Sequence, residues 1–160
     1  SLGSLSLQGS LLQPPSILLR TLSPKEYGIL FAVAEVLIPN NPPFPPSSSL
    51  NIAHKVDAVI AQTAPEQQDQ LKLVLALIEN PSLSTILSFQ LHPFTQSTEQ
   101  EKQERLENWR TGIPQLRSAF KAINGMCNAA YYSSPEIEPL IGYAGPPQHI
   151  KDIRTTKGYP

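Results

Sequence analysis

The sequence has a single cysteine, Cys127, in 160 residues. A disulfide within the chain is therefore impossible, and so is a zinc site built from several thiolates. The side chain has two interpretations. It is either a small buried apolar group or, in an oxidising compartment, a thiol that forms a disulfide with another subunit.

Charge is also scarce, because Asp, Glu, Lys and Arg make up only 16% of the residues, against roughly a quarter in an average globular protein. The formal net charge is -1. No basic face is available for phosphate groups, so nucleic acid is not an expected partner. Ser, Gln, Asn and 17 prolines take the place of charge, which indicates a folded centre with stiff, irregular connections and ends.

The usual motifs of catalysis and cofactor binding are missing as well. The sequence contains no glycine-rich phosphate loop, no Gly-x-Ser-x-Gly elbow and no Cys-x-x-Cys-His haem site. Of the three histidines, His54 lies one helical turn from Asp57, which is half of a possible metal site. Since no second helix offers such a pair, we predict no metal ligand and no catalytic residue, and we expect His54 and Asp57 to form a surface pair.

Residues 1–20 are rich in Leu, Ser and Gly and carry no charge before Arg20. This pattern resembles the second half of a secretory signal running into a mature start, without the basic front of such a signal. The segment is too short and too interrupted to span a bilayer. We interpret it as a residual signal or a flexible leader. The alternative is a leader whose leucines dock on the domain.

Helix signals dominate the centre of the chain. Ser23, Pro24 and Glu26 supply a capping box and a first-turn proline for a helix that ends at Ile38, before Pro39. Apolar spacing predicts further helices over 51–63, 65–79, a short stretch up to 90, 98–111, 114–131 and 134–142. No alternating pattern predicts a strand. The expected fold is all-α, a single compact domain of about six helices over residues 21–147, followed by a C-terminal extension at 148–160.

Four side-chain placements follow from these patterns. Val59 and Ile113 are expected to point into the core, and Glu101 and Arg105 are expected to form a solvent-exposed pair one helical turn apart. Gly125 lies inside the longest predicted helix, where glycine costs about 1 kcal/mol relative to alanine. We therefore expect another group to pack closely against it.

Two segments carry a family resemblance. The first is LSPKEYGILFAVAEVLIP at 22–39, an apolar helix that closes on Ile-Pro. The second is YYSSPEIEPLIGYAGPP at 131–147, with paired tyrosines, a proline-led turn and Gly-Tyr-x-Gly-Pro. In this order they resemble the gluconate 2-dehydrogenase subunit 3 family. Glu35 stands near the place where the first helix of that family usually carries an aspartate, and the proline cluster at 42–46 is a departure.

The resemblance implies a non-catalytic small subunit that binds a large flavoprotein of the glucose-methanol-choline type and helps it to mature and to be exported. That partner would hold FAD and oxidise a sugar, sugar acid or alcohol, while this chain holds no cofactor. A cytochrome c subunit is an optional further partner. Twin-arginine export to the periplasm is implied, with membrane association only through the complex.

In this context the closing segment becomes a candidate partner interface. Tyrosines offer rigid surface with a polar tip, and prolines reduce the ordering cost of association. The candidate interface residues are Tyr131, Tyr132, Gly142, Tyr143, Gly145 and Pro146, and Cys127 is the candidate for an intersubunit disulfide.

Three alternatives remain open. The tyrosines could instead fix the last helix onto the core of their own chain. The whole protein could be a free-standing helical module that encloses a small apolar ligand in an internal pocket. It could also be an enzyme in which a cleft joins His54, Asp57 or Cys127.

Overall fold

The computed structural model describes residues 18–82 and 91–142. Within these ranges the chain is helical and no strand occurs, which confirms the all-α fold. The helices are α1 (Pro24–Leu37), α2 (Ile52–Ile60), α3 (Pro65–Glu79), α4 (Glu99–Thr111) and α5 (Pro114–Tyr132), with 3-10 turns at Ser47–Leu50 and Phe94–Gln96. The short helix predicted up to residue 90 lies outside the described residues, and the division of the chain at residues 20 and 147 stays a prediction.

Helix α1 begins where the sequence predicts. The Ser23 hydroxyl accepts a hydrogen bond from the Glu26 N–H at 3.3 Å, and the Glu26 carboxylate accepts one from the Ser23 N–H at 2.7 Å, which is the reciprocal arrangement of a capping box. Helix α1 contacts each of the other four helices. Its residues Ile29, Leu30 and Val33 are buried, so α1 forms the centre of the bundle.

Three of the predicted side-chain placements are wrong. Val59 is exposed, because the buried face of α2 is formed by Val56 and Ile60 on either side of it. Ile113 is also exposed, since it occupies the N-cap of α5 and not the interior of a helix. No heavy atom lies within 4 Å of a Cβ built at Gly125, so nothing packs closely against that glycine.

Arg105 corrects a fourth expectation, because its side chain is buried and not solvent-exposed. The guanidinium donates hydrogen bonds to the carbonyl oxygens of Ile78 at 3.1 Å and His92 at 2.7 Å. It also lies over the ring of Phe94, 5.7 Å from the centroid. Arg105 therefore joins α4 to the end of α3 and to the connection that enters α4.

Residues 133–142 form successive turns in place of the predicted short helix. The Ser134 hydroxyl donates to the Ala130 carbonyl at 2.8 Å and accepts from Lys55 Nζ at 2.7 Å, so it does not act as an N-cap. The Ile137 side chain is fully buried and fixes these turns against the bundle. Gly142 has a φ of 71°, a conformation that glycine adopts without strain.

Candidate interaction surface

The two tyrosines at the end of α5 have different environments. Successive helical residues point about 100° apart, so the two rings cannot face the same way. Tyr131 is 3% exposed, whereas Tyr132 is 50% exposed. Their rings meet edge to face with centroids 5.3 Å apart and an interplanar angle of 90°. This is a favourable geometry for an aromatic pair, so the buried ring orients the exposed one.

Tyr131 packs within its own chain. Its hydroxyl donates a hydrogen bond of 2.6 Å to the carbonyl oxygen of Pro45, a residue 86 positions earlier. Burial raises the pKa of Tyr131, and the neighbouring Tyr132 raises it further. The alternative role from the sequence, fixing the last helix onto the core, is therefore the one that this residue has in the structure, and its ring is not accessible to a partner.

A C-terminal surface remains for contact with other molecules. We define it as Tyr132, Leu140 and Ile141, three large side chains of the closing segment that are exposed. Gly142 ends the described part of this segment, at its left-handed turn. Tyr143, Gly145 and Pro146 lie outside the described residues, so their interface role stays a prediction.

A second feature, which the sequence patterns did not reveal, is a groove between α3 and α5. It has a volume of about 870 Å³ and is open to solvent. The α3–α5 groove is lined mainly by apolar side chains, among them Ile60, Leu71, Val74, Ala119, Ala122 and Met126. In the part of the chain that the structure describes, no charged residue lines it. It is a surface groove and not the internal pocket that a module enclosing a ligand would need.

Comparison with known proteins bears on what these surfaces are for. Residues 24–144, more than half of the chain, match the family model described as gluconate 2-dehydrogenase subunit 3. The chain belongs to this family. No curated protein and no solved structure matches it. The family match includes all five helices and the C-terminal surface, and its description names one subunit of a dehydrogenase.

For this gluconate 2-dehydrogenase subunit 3 member, the described residues include no helix of the length and hydropathy needed to cross a bilayer. They also include no group of three or more His, Cys, Asp or Glu side chains placed to hold a metal ion. The contact between this subunit and any larger assembly therefore has to be sought on its protein surfaces.

Asp57 is not part of a surface pair with His54, as the spacing predicted. It is fully buried, and its carboxylate accepts hydrogen bonds from the backbone N–H groups of Arg20 at 2.6 Å, Thr21 at 3.2 Å and Leu22 at 2.9 Å. The carboxylate therefore holds the segment that leads into α1. Charged residues are seldom fully buried unless they are paired in this way, and no local spacing identifies backbone partners so far away.

Glu35, at the approximate position of the family's aspartate, also has a structural partner. Its carboxylate accepts a hydrogen bond from the Ser47 hydroxyl. This contact connects α1 with the 3-10 turn that follows the proline cluster. The acid at this position therefore holds the proline-rich connection near the core.

Cys127 lies on the buried face of α5, with no solvent exposure. Desolvation by burial raises the pKa of its thiol from 9.0 to about 12. The thiolate, which is the nucleophile in disulfide exchange, is therefore strongly disfavoured at neutral pH. Of the two interpretations of this cysteine, the buried apolar group agrees with the structure, and a disulfide to another subunit would require α5 to leave the core.

We expect Cys127 to resist thiol reagents in the native protein at pH 7 and to react within the mixing time once the chain is unfolded. The raised pKa also makes stability depend on pH, because unfolded chains lose the thiol proton near pH 9 while folded chains keep it until about 12. Stability from this group is complete below pH 9 and declines between these values. Labelling with and without denaturant, and unfolding at pH 8 and 10 of the wild type and Cys127→Ser, measure both effects. Fast native labelling would contradict the buried position.

Proposed function

We propose that this chain is a non-catalytic accessory subunit that binds a large FAD-dependent flavoprotein of the glucose-methanol-choline type. It helps that partner to mature and to be exported to the periplasm, where the flavoprotein oxidises a sugar, sugar acid or alcohol. The observation that carries the proposal is the family match over residues 24–144, since the family is one of dehydrogenase subunits. In this proposal FAD is held by the partner, and a cytochrome c subunit is a further candidate component.

The C-terminal surface supports a binding role. Tyr132 is half exposed, and its ring is held edge-on by the buried ring of Tyr131. A side chain that is already oriented loses little conformational entropy on association. Tyrosine is also among the residues that most often carry binding energy at interfaces. Tyr132 is therefore the residue of this surface that we expect to contribute most.

The backbone of the surface is fixed as well. Ile137 is fully buried, and Leu140 and Ile141 follow it on exposed turns. The Leu140 and Ile141 N–H groups both donate to the Ile137 carbonyl, at 2.9 and 3.3 Å. One buried residue thus positions two exposed apolar side chains, which suits a small, preformed contact with a larger protein.

Coexpression with the large flavoprotein encoded beside this chain tests the proposal. The double variant Tyr132→Ala, Ile141→Ser is expected to bind the flavoprotein at least about tenfold more weakly, because loss of a central aromatic contact costs about 2 kcal/mol or more. The melting temperature of the isolated subunit should stay the same, since both side chains are exposed. Copurified flavin absorbance and titration of the purified partners measure binding.

The matched control is the double variant Leu91→Ser, Ile113→Ser, which removes two exposed apolar side chains outside the C-terminal surface. It should bind the flavoprotein as the wild type does. Equal binding by all three proteins would refute the role of the C-terminal surface. Failure of the wild-type subunit to copurify with any flavoprotein would refute the accessory-subunit function itself.

A further inference from the structure

The α3–α5 groove has a composition that restricts what can cover it. Its floor is apolar, and its polar lining groups are uncharged side chains such as Thr63, Gln67, Gln115 and Ser118. Leu73 lines the same groove and is 59% exposed. A charged occupant would find no opposite charge among the described lining residues. The matching occupant is an uncharged segment that combines leucines with small polar residues.

The first residues of the chain have this composition. Residues 1–17 contain no charged residue and consist of Leu, Ile, Ser, Gln, Gly and Pro alone. The apolar side chains of this segment are Leu2, Leu5, Leu7, Leu11, Leu12 and Ile17. Such leucines lose unfavourable contact with water when they cover an apolar groove, and the serines and glutamines between them can bond the polar groups at its edge.

The described structure brings this segment to the edge of the groove. The Thr21 hydroxyl donates to Gln68 Oε1 at 2.9 Å, and Gln68 Nε2 donates to the carbonyl oxygen of Thr63 at 3.0 Å. Thr63 lines the groove. A single glutamine side chain therefore bridges the segment that follows residues 1–17 and the groove itself, while Asp57 fixes that segment in place.

The length of the segment is sufficient. Seventeen extended residues reach up to roughly 56 Å at about 3.3 Å per residue. Helix α5, which forms one wall, has 19 residues and is roughly 28 Å long at about 1.5 Å per residue. Residues 1–17 can therefore run from the Thr21 bridge along the whole groove without straining the chain.

We propose that residues 1–17 fold back over the α3–α5 groove and place their leucines between the two helices. The leader is then an integral part of the domain surface, and the groove is occupied by the chain's own N-terminal segment. The proposal is independent of the C-terminal surface and of the flavoprotein partner.

Met126 provides the readout. It is the only methionine of the chain, it lines the groove, and peroxide oxidation of methionine follows its exposure. Deletion of residues 1–17, which leaves Thr21 and the Asp57 contacts intact, should make Met126 oxidise at least about threefold faster than in the full chain. Mass spectrometry of the intact protein over time measures the rate.

A second variant keeps the test independent of the deletion. The full-length substitutions Leu5→Ser, Leu7→Ser, Leu11→Ser and Leu12→Ser should reproduce the fast oxidation, whereas the control substitutions Ser4→Ala, Ser6→Ala and Ser10→Ala should not. Unreactive Cys127 in each protein verifies that α5 stays packed.

Several results would overturn the proposal. Equal oxidation rates in the full, deleted and leucine-substituted chains would mean that residues 1–17 do not cover Met126. Protection that grows with protein concentration and survives the deletion would mean that a second copy covers the groove. Protection that arises only when the flavoprotein is added would mean that the groove is a partner site.

Discussion

Replacement of Asp57 by alanine is expected to lower the free energy of unfolding by about 3 to 4 kcal/mol. The substitution leaves three backbone N–H groups, at Arg20, Thr21 and Leu22, without their acceptor. A buried donor left unsatisfied costs about 1–3 kcal/mol. The Leu22 side chain, which is buried in the core, loses the backbone contact that positions it. Denaturant unfolding measures the change.

The matched controls separate the hydrogen bonds from the charge. Asp57→Asn keeps one carbonyl acceptor and should lose less stability than Asp57→Ala. Asp69→Ala removes an exposed carboxylate on α3 and should change stability by less than about 0.5 kcal/mol. Hydrogen exchange at residues 20–22 should accelerate only in the two Asp57 variants. If Asp57→Ala were no more destabilising than Asp69→Ala, the buried carboxylate would have no structural role.

Replacement of Arg105 by methionine is expected to cost about 3 kcal/mol, because it removes one member of a buried, hydrogen-bonded charge network. The guanidinium donates to the carbonyl oxygens of Ile78 and His92 and to the Ser97 hydroxyl. Burial lowers the pKa of Arg105, while Glu79 and Glu101 oppose this shift, and the group stays charged since arginine titrates far above neutral pH. Methionine keeps much of the volume, so the loss comes mainly from the polar contacts.

The control lies on the same helix. Arg110 forms an exposed ion pair with Glu107 one turn away, and Arg110→Met should leave the unfolding midpoint unchanged within error. Thermal and denaturant unfolding of both variants, with far-UV circular dichroism to verify helix content, measure the difference. Arg105→Lys separates charge from geometry, because a lysine cannot reach three acceptors with a rigid planar fork. Equal stability of the Arg105 and Arg110 variants would refute the prediction.

The helix boundaries were predictable because their signals are local. A capping box and a proline occupy four consecutive residues before α1, and the structure begins the helix at Pro24 as predicted. Before α4 the sequence offers two adjacent boxes, Ser97 with Gln100 and Thr98 with Glu101. We expected the first, and the structure uses the second. The Ser97 hydroxyl is instead bonded to the Pro93 carbonyl and to Arg105.

The buried charges were not predictable for the same reason. Asp57 and Arg105 occupy ordinary positions on amphipathic helices, and charged residues there usually face water. Their partners are backbone groups between 13 and 37 residues away. Backbone groups have no sequence signature, so no spacing rule connects them with a particular side chain. The fold has to be known before the pairing can be found.

The split between the two tyrosines was within reach of the sequence. Ile123 and Cys127 lie on the buried stripe of α5, and four residues further along that stripe is Tyr131. Helical spacing therefore places Tyr131 inside and Tyr132 outside. The groove was not within reach, because it depends on how far apart α3 and α5 pack, and the apolar residues of its floor have the spacing of an ordinary core.

The hydrogen bond from Tyr131 to Pro45 gives the proline-rich connection a remote role. Pro45 holds the hydroxyl end of the buried ring, and Tyr132 leans on the face or edge of the same ring. Anything that grips Tyr132 from outside would thus restrain the backbone near residue 45, although that stretch never meets the newcomer. Protease nicking at residues 39–46 would then slow on complex formation, and the linker would serve as a built-in reporter of occupancy at the opposite terminus.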